Sequence, residues 1–198
     1  LISRIFPSPA QDRHRGFMEV LNSRIKVKEI FGKWKPETVE KEIAEMDSLE
    51  EVDVVFAHND VMAMAARRAI ERMHPGLADR ICFVGIDAVS GRGSGLEAVM
   101  HGELAASVLY PTGGSLAIRV AMQILNGEDV SRQYLLSSAL IDKNNAGTLF
   151  IQSEQVVDYQ HQIELQRENL ESMLSKYTFL QNSVGIILLL MGMLLLSA

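Results

Sequence analysis

The chain has 198 residues, enough for one ordinary domain and an additional segment. Hydrophobic residues make up 47% and charged residues 22%, which is typical of a globular core, and the formal net charge of −6 argues against a nucleic-acid partner. Cys82 is the only cysteine, so an intrachain disulfide is excluded, and its place in the apolar run ICFVG predicts a small buried side chain.

Strands and helices alternate along most of the chain. Helices are predicted at residues 12–23, 37–49, 60–73, 94–101 and 112–126, and strands at residues 25–31, 52–57, 81–86, 104–109 and 135–142. The run VVFA in the second strand is apolar at every position, as expected of a parallel strand that is buried on both faces. This alternation predicts an α/β fold built on a doubly wound parallel sheet.

Polar side chains follow three of the predicted strands at the point where each strand ends. Asn59 and Asp60 follow VVFAH, Asp87 ends ICFVGID, and Tyr110 ends LAASVLY. Either Asn59 or Asp60 can cap the helix that begins there, and capping alone is the simpler role for Asp60. Because ligands of open α/β sheets bind beyond the carboxyl ends of the strands, we expect Asn59, Asp87 and Tyr110 to face one cleft.

The sequence changes character after Gly147. Residues 154–183 contain no Pro or Gly, and a heptad register can be assigned to them. Positions a and d are then occupied by Val156, Tyr159, Ile163, Gln166, Leu170, Met173, Tyr177, Leu180 and Val184. All of these residues are apolar or aromatic except Gln166. This pattern predicts a coiled-coil seam of about four heptads. The alternative is a lone helix that packs on its own domain.

The last segment, residues 184–198, reads VGIILLLMGMLLLSA and carries no charge. A membrane-spanning helix needs about 20 apolar residues. We therefore interpret this segment as the start of a truncated transmembrane helix. The alternative is a C-terminal helix that packs on the core of the domain. Such a helix would be apolar on one face and polar on the other, whereas this run is apolar on all faces.

Four stretches of sequence resemble, in the same order, the C-terminal lobe of the type I periplasmic sugar-binding proteins. These stretches are PAQDRHRGF, VFAHNDVMAMAARRAI, FVGIDA and GELAASVLYPTGG. The family includes the ribose- and galactose-binding proteins and shares its fold with the sensor domains of lactose-type repressors. The resemblance covers about residues 1–150, and it implies an N-terminal lobe before Leu1 and a sugar ligand without a cofactor.

The resemblance also implies roles for individual residues. Arg13, three residues before Gly16, matches the arginine that donates to sugar hydroxyls in the ribose-binding group, although a surface arginine is the simpler alternative. Trp34 is expected to stack on the ligand rather than to pack structurally. Tyr110 stands where the ribose-binding group has a glutamine, so the resemblance does not identify the sugar. The predicted ligand-binding residues are Arg13, Trp34, Asn59, Asp87 and Tyr110.

No catalytic or metal site is predicted. The glycine-rich stretch at residues 91–95 departs from the spacing of a dinucleotide-binding loop and is interpreted as a turn. The histidines show no metal-ligand spacing, and no nucleophile-elbow motif occurs. Any kinase activity would belong to sequence beyond Ala198.

The combination of a binding lobe, a long helix and a membrane segment resembles hybrid two-component sensor histidine kinases. It predicts a binding lobe at residues 1–150, a coiled-coil linker at 151–183 and a transmembrane start at 184–198. The protein is then a homodimer in the inner membrane, with this domain facing the periplasm. The alternative is a soluble periplasmic transport receptor or a repressor-type effector-binding core.

Overall fold

The computed structural model describes residues 9–196, with ten helices and strands of regular geometry among them. In chain order these are α1 Pro9–Val20, α2 Pro36–Ala44, β1 Val54–Phe56, α3 Asp60–Met73, β2 Cys82–Asp87, α4 Gly95–Met100, β3 Ala106–Leu109, α5 Gly114–Leu125, β4 Leu140–Asp142 and α6 Ala146–Leu196. Short 3₁₀ turns occupy Leu49–Glu51 and Ala78–Arg80. The predicted helix at residues 37–49 therefore ends early, and its last residue belongs to a separate turn.

The four strands form one mixed sheet in the order β1-β2-β3-β4. β1, β2 and β3 run parallel, whereas β4 pairs antiparallel with β3. The first three strands confirm the predicted parallel sheet, and β4 adds an antiparallel strand at its edge. The chain runs from β3 through α5 and residues 126–139 to β4, and β4 enters the sheet antiparallel to β3.

The two faces of the sheet differ in burial because side chains alternate along each strand. On one face, Phe83, Ser107 and Ile141 are almost completely buried, and α3 and α4 pack against this side. On the other face, Val54 is 56% exposed and Leu140 is 61% exposed. The hydrophobic core thus lies between the sheet and the α3–α4 layer.

The prediction for Cys82 is wrong, because its side chain is exposed. Cys82 is the first residue of β2 and pairs in register with Val54, which places both side chains on the open face of the sheet. The apolar run correctly indicates a strand with apolar side chains on both faces. It does not show whether other elements cover both faces, and the face that carries Cys82 is open at this position.

Within residues 9–196, the predicted strand at residues 25–31 is not among the four strands of the sheet. Ile25, Val27 and Phe31 remain exposed in this segment.

Contacts between residues divide the chain into two units, residues 1–151 and residues 152–198. α6 is a single helix of 51 residues without an interruption. Of the described residues, the stretch Ala146–Met193 is long and apolar enough to cross a membrane, judged by length and composition.

Candidate functional site

Arg13 lies at the centre of the candidate site. Its Nη2 donates to Asp87 Oδ1 at 3.1 Å, and its Nη1 donates to the main-chain carbonyl of His58. The side chain of Arg13 is 13% exposed and that of Asp87 is 31% exposed. The ion pair is therefore partly shielded from water, while the carboxylate stays within reach of a ligand.

Two aromatic rings flank the guanidinium of Arg13. Its carbon Cζ lies 5.8 Å from the centre of the Trp34 ring and 4.7 Å from the centre of the Tyr110 ring. Both distances suit a cation–π interaction, which favours a fixed position of the charge. Trp34 is 45% exposed and Tyr110 is 50% exposed, so each ring also presents surface to solvent.

Trp34 is presented by a tight turn. The N–H of Lys35 donates to the carbonyl of Gly32 at 2.8 Å, and the two central residues, Lys33 and Trp34, have φ values of 49° and 61°. Positive φ at both central positions is the mark of a type I′ turn, which usually contains Asn or Gly. Two side-chain-bearing residues in this conformation indicate local strain, a feature that clusters at ligand sites.

Asp87 also has an unusual main-chain conformation, with φ of 112°, and Ala88 follows at 47°. This turn ends β2 and points the Asp87 carboxylate at Arg13. The main chain of Asp87 is tied to the next strand end, because the N–H of Tyr110 donates to its carbonyl at 3.3 Å.

Asn59 has a different position from the other predicted site residues. It is the N-cap of α3, and its Oδ1 accepts from the N–H of Met62 at 2.8 Å. It adjoins His58, whose carbonyl contacts Arg13. Thus the structure brings Trp34, Asp87 and Tyr110 into contact with Arg13, and Asn59 adjoins this group through its neighbour His58.

Asp60 does not cap α3, which corrects the simpler role suggested for it. The carboxylate is 2% exposed and accepts hydrogen bonds from Ser107 Oγ at 2.6 Å and from the N–H of Ala88 at 2.8 Å. It therefore connects α3 with β3 and with the turn after β2. A buried carboxylate with two donors is well satisfied.

His58 is a neighbour of the site that sequence reasoning missed. Its side chain is 8% exposed, and within residues 9–196 its Nδ1 has no hydrogen-bond partner. Burial lowers the pKa of His58 to about 4, and the positive charge of Arg13 adds to this effect. The imidazole is accordingly neutral at pH 7. Its position directly before Asn59, at the end of β1, was the available signal.

Metal ligands are not grouped in the part of the chain that the structure describes. No three His, Cys, Asp or Glu side chains there come together in a way that could hold a metal ion. The chemistry offered by the site is hydrogen bonding to a polar ligand, combined with contact to aromatic rings.

Comparisons with known proteins identify the family and the fold. Residues 7–129 match a family described as periplasmic binding protein domain. The ribose import binding protein RbsB of Salmonella typhimurium is 38% identical over 95 residues, which is 47% of this chain and 30% of the relative.

Among solved structures, the fructose-binding periplasmic domain of the hybrid two-component system BT1754 superposes with a TM-score of 0.70 at 32% identity. The match covers 79% of this chain and 53% of that one. A Mycobacterium smegmatis protein in complex with β-D-fucofuranose gives a TM-score of 0.64 at 27% identity, covering 76% of this chain and 50% of that one. The chain therefore spans about half the length of these solved structures.

Proposed function

Because the chain belongs to the periplasmic binding protein domain family, we propose that it is the ligand-sensing periplasmic domain of a membrane-bound sensor histidine kinase and that it binds a sugar or a similar polyhydroxylated molecule. The observation that carries the sugar proposal is the cluster of Arg13, Asp87, Trp34 and Tyr110. It combines a fork of donors, a carboxylate acceptor and two aromatic rings. Neighbouring hydroxyls on an otherwise apolar ring match this combination.

Each residue then has a separate role. Arg13 donates to ligand oxygens, and Asp87 accepts from ligand hydroxyls. The exposed part of the Trp34 ring stacks on the C–H face of the sugar, and Tyr110 stacks or donates through its hydroxyl. Since Oδ1 of Asn59 already accepts from Met62, the contribution of Asn59 rests on its amide nitrogen as a donor.

The relatives indicate which sugars to consider first as ligands. The structural relatives include proteins described as fructose-binding and as bound to β-D-fucofuranose, and the sequence relative is a ribose import binding protein. D-Fructose, D-ribose and D-fucose are therefore the first sugars to test. Tyr110 replaces a glutamine of the ribose-binding group, so D-ribose is the least favoured of these sugars.

The sensor part of the proposal is supported by α6 and by one relative. All eight apolar or aromatic residues of the heptad seam are exposed in the single chain, as a surface for a second copy requires. The relative with a TM-score of 0.70 belongs to a hybrid two-component system. We therefore assign residues 1–150 to the binding lobe, 151–183 to a dimeric coiled coil and 184–198 to an inner-membrane helix, with the lobe in the periplasm.

A soluble transport receptor is the second candidate. It is favoured by the sequence relative, which is an import binding protein. The presence of α6 distinguishes the two candidates, because the function of a soluble transport receptor does not require a long helix with an apolar end after the last strand. Sequence that continues past Ala198 into a kinase core would support the sensor.

A thermal-shift screen on the intact protein tests the sugar proposal. A ligand that binds only the native state stabilises it, by about 2.7 kcal/mol at a concentration of 100 times Kd. We expect a higher melting temperature with at least one of the three sugars and no change with sodium chloride at equal osmolarity. If no sugar of a broad pentose and hexose panel shifts the melting temperature, the proposal is wrong.

A further inference from the structure

Asp60 is enclosed by main chain from two neighbouring elements. A Cβ atom added at Gly85 in β2 would collide with Asp60 Oδ1, and one added at Gly95 in α4 would collide with Oδ2. Both glycines therefore have a steric reason for lacking a side chain. The sequence keeps space for this carboxylate in the core, although a carboxylate is among the groups that cost most to bury.

The hydrogen bonds of Asp60 end at the turn that carries Asp87. Oδ2 accepts from the N–H of Ala88, and Oδ1 accepts from the hydroxyl of Ser107. The same N–H of Ala88 also lies 3.1 Å from Ser107 Oγ. These contacts form a closed triangle among α3, β3 and the residue directly after Asp87.

This triangle coincides with strained main chain. Asp87 and Ala88 both have positive φ, a conformation that residues with a side chain rarely adopt and that persists only where surrounding contacts hold it. The described contact that fixes the N–H of Ala88 is the one to the Asp60 carboxylate and its Ser107 partner. Without it, the turn keeps the bond from the Tyr110 N–H to the Asp87 carbonyl but loses its hold at Ala88, so the Asp87 carboxylate can shift relative to Arg13.

We propose that Asp60 is a positioning residue that sets the affinity for sugar by holding the Asp87–Ala88 turn, without touching the ligand itself. The proposal rests on the sugar-binding function proposed above. It extends the site from the residues that face the cleft to one that lies in the core beneath them.

The proposal entails a pH dependence. Burial raises the pKa of Asp60 to about 6, with the charge of Asp87 adding to the rise and the hydrogen bonds from Ser107 and Ala88 opposing it. Asp87 on β2, itself paired with Arg13, is the charged group coupled to Asp60, whereas β3 contributes the neutral Ser107 and α4 contributes Gly95. A protonated carboxyl is a poorer acceptor, so affinity should fall as the pH drops from 7 to 5.

Calorimetric titration of the intact protein with D-fructose, or with D-fucose or D-ribose if fructose does not bind, tests this inference. For Asp60→Asn we expect affinity weaker by about tenfold at pH 7 and no step in affinity between pH 7 and 5. Ile70→Val, a buried truncation on the same helix, is the control for a general loss of stability and should leave the affinity within about twofold of wild type.

Ser107→Ala provides a second variant if Asp60→Asn does not fold. It removes one corner of the triangle and should weaken binding by about threefold or more, with the pH step reduced. Wild-type affinity in Asp60→Asn, or in Ser107→Ala if that is the variant that folds, would overturn the inference and leave the sugar proposal intact. If the wild-type protein binds none of the three sugars, both proposals fall together.

Discussion

At the scale of single residues, the site combines charged contacts with strained main chain. Four residues with side chains, Lys33, Trp34, Asp87 and Ala88, adopt positive φ within the two turns that present Trp34 and Asp87. Such conformations cost about 1–3 kcal/mol each, and they tend to occur where a ligand site requires them. A substitution that relieves the strain in one of these turns is therefore expected to raise the stability of the fold even where it disturbs the geometry of the ligand site.

Lys33→Gly tests the cost of the Trp34 turn. Lys33 is exposed and has φ of 49°, so glycine relieves the strain at this position. Glycine also raises the conformational entropy of the unfolded chain, which opposes folding. We expect the net effect to stabilise the fold by about 0.5–1 kcal/mol. Lys35→Gly is the matched control, because Lys35 has φ of −122° and gains nothing from glycine. Equal free energies of unfolding for both variants in urea would contradict the assignment of strain.

His58→Phe tests the buried imidazole. The unfolded chain binds a proton at the ordinary histidine pKa of about 6.5. Burial lowers the folded pKa of His58 to about 4. The contribution of His58 to stability is therefore fully present above about pH 6.5 and is lost as the pH falls towards 4, by up to about 3 kcal/mol.

Phenylalanine keeps a buried ring beside Phe56 and removes this titration. We expect the free energy of unfolding of His58→Phe to fall less than that of wild type between pH 7 and 4.5, measured by urea denaturation. Asp60 acts in the opposite direction, because its raised pKa makes its contribution grow as the pH falls, but it is common to both proteins. An unchanged pH slope in His58→Phe, with exposed His161→Phe as control, would contradict the lowered pKa.

At the scale of secondary structure elements, the sequence correctly predicted the features that depend on the local pattern of apolar, polar and capping residues. The helix at residues 60–73 begins and ends where its cap and periodicity predict, and α/β periplasmic binding architecture is confirmed. Asp87 and Tyr110 lie close together, as predicted, because β2 and β3 are parallel neighbours and their carboxyl ends meet at the same edge of the sheet. Local pattern missed the antiparallel direction of β4 and the exposure of Cys82, because both depend on which elements pack beside these residues.

The same reasoning applies to side-chain contacts. The ion pair between Arg13 and Asp87 and the burial of Asp60 join residues that are far apart in the chain. A single sequence contains no signal for such pairs. The spacing of Gly85 and Gly95 reveals the place of Asp60 only after the fold is known.

Cysteine crosslinking tests the proposed pairing of α6 with its copy. Single cysteines at Ile163, Leu170 and Tyr177 should crosslink between chains, whereas one at Glu168, on the outward side of the heptad, should crosslink poorly. The background must be Cys82→Ser, because Cys82 is exposed and would react. A sugar that favours one packing of the pair should also change the relative yields.

Equal yields at the seam positions and at Glu168 would show that α6 does not pair through this seam. Yields at the seam positions that do not respond to sugar would leave α6 as a tether without a role in signalling. Membranes from cells that express the intact protein are the appropriate sample, because detergent can separate a weak helix pair.

At the scale of the whole molecule, the proposed sensor depends on α6 as the connection between a binding lobe and a membrane. Ala146–Met193 meets the length and hydropathy of a spanning segment. The 198-residue chain should therefore require detergent, whereas a version that ends at Asp158 should remain soluble. Analytical ultracentrifugation without detergent distinguishes the two, and a monodisperse 198-residue chain would contradict the membrane assignment.

The central claim is that the Arg13–Asp87 cluster binds a sugar, and calorimetric titration of the intact protein tests it most directly. We expect saturable binding of at least one sugar among D-fructose, D-fucose and D-ribose. Asp87→Ala leaves ligand hydroxyls without an acceptor and should cost about 1–3 kcal/mol of binding free energy. Asp129→Ala, which removes an exposed carboxylate after α5, should bind as wild type does. Unchanged affinity in Asp87→Ala and Asn59→Ala alike, or no binding of any of these sugars by the wild-type protein, would contradict the claim.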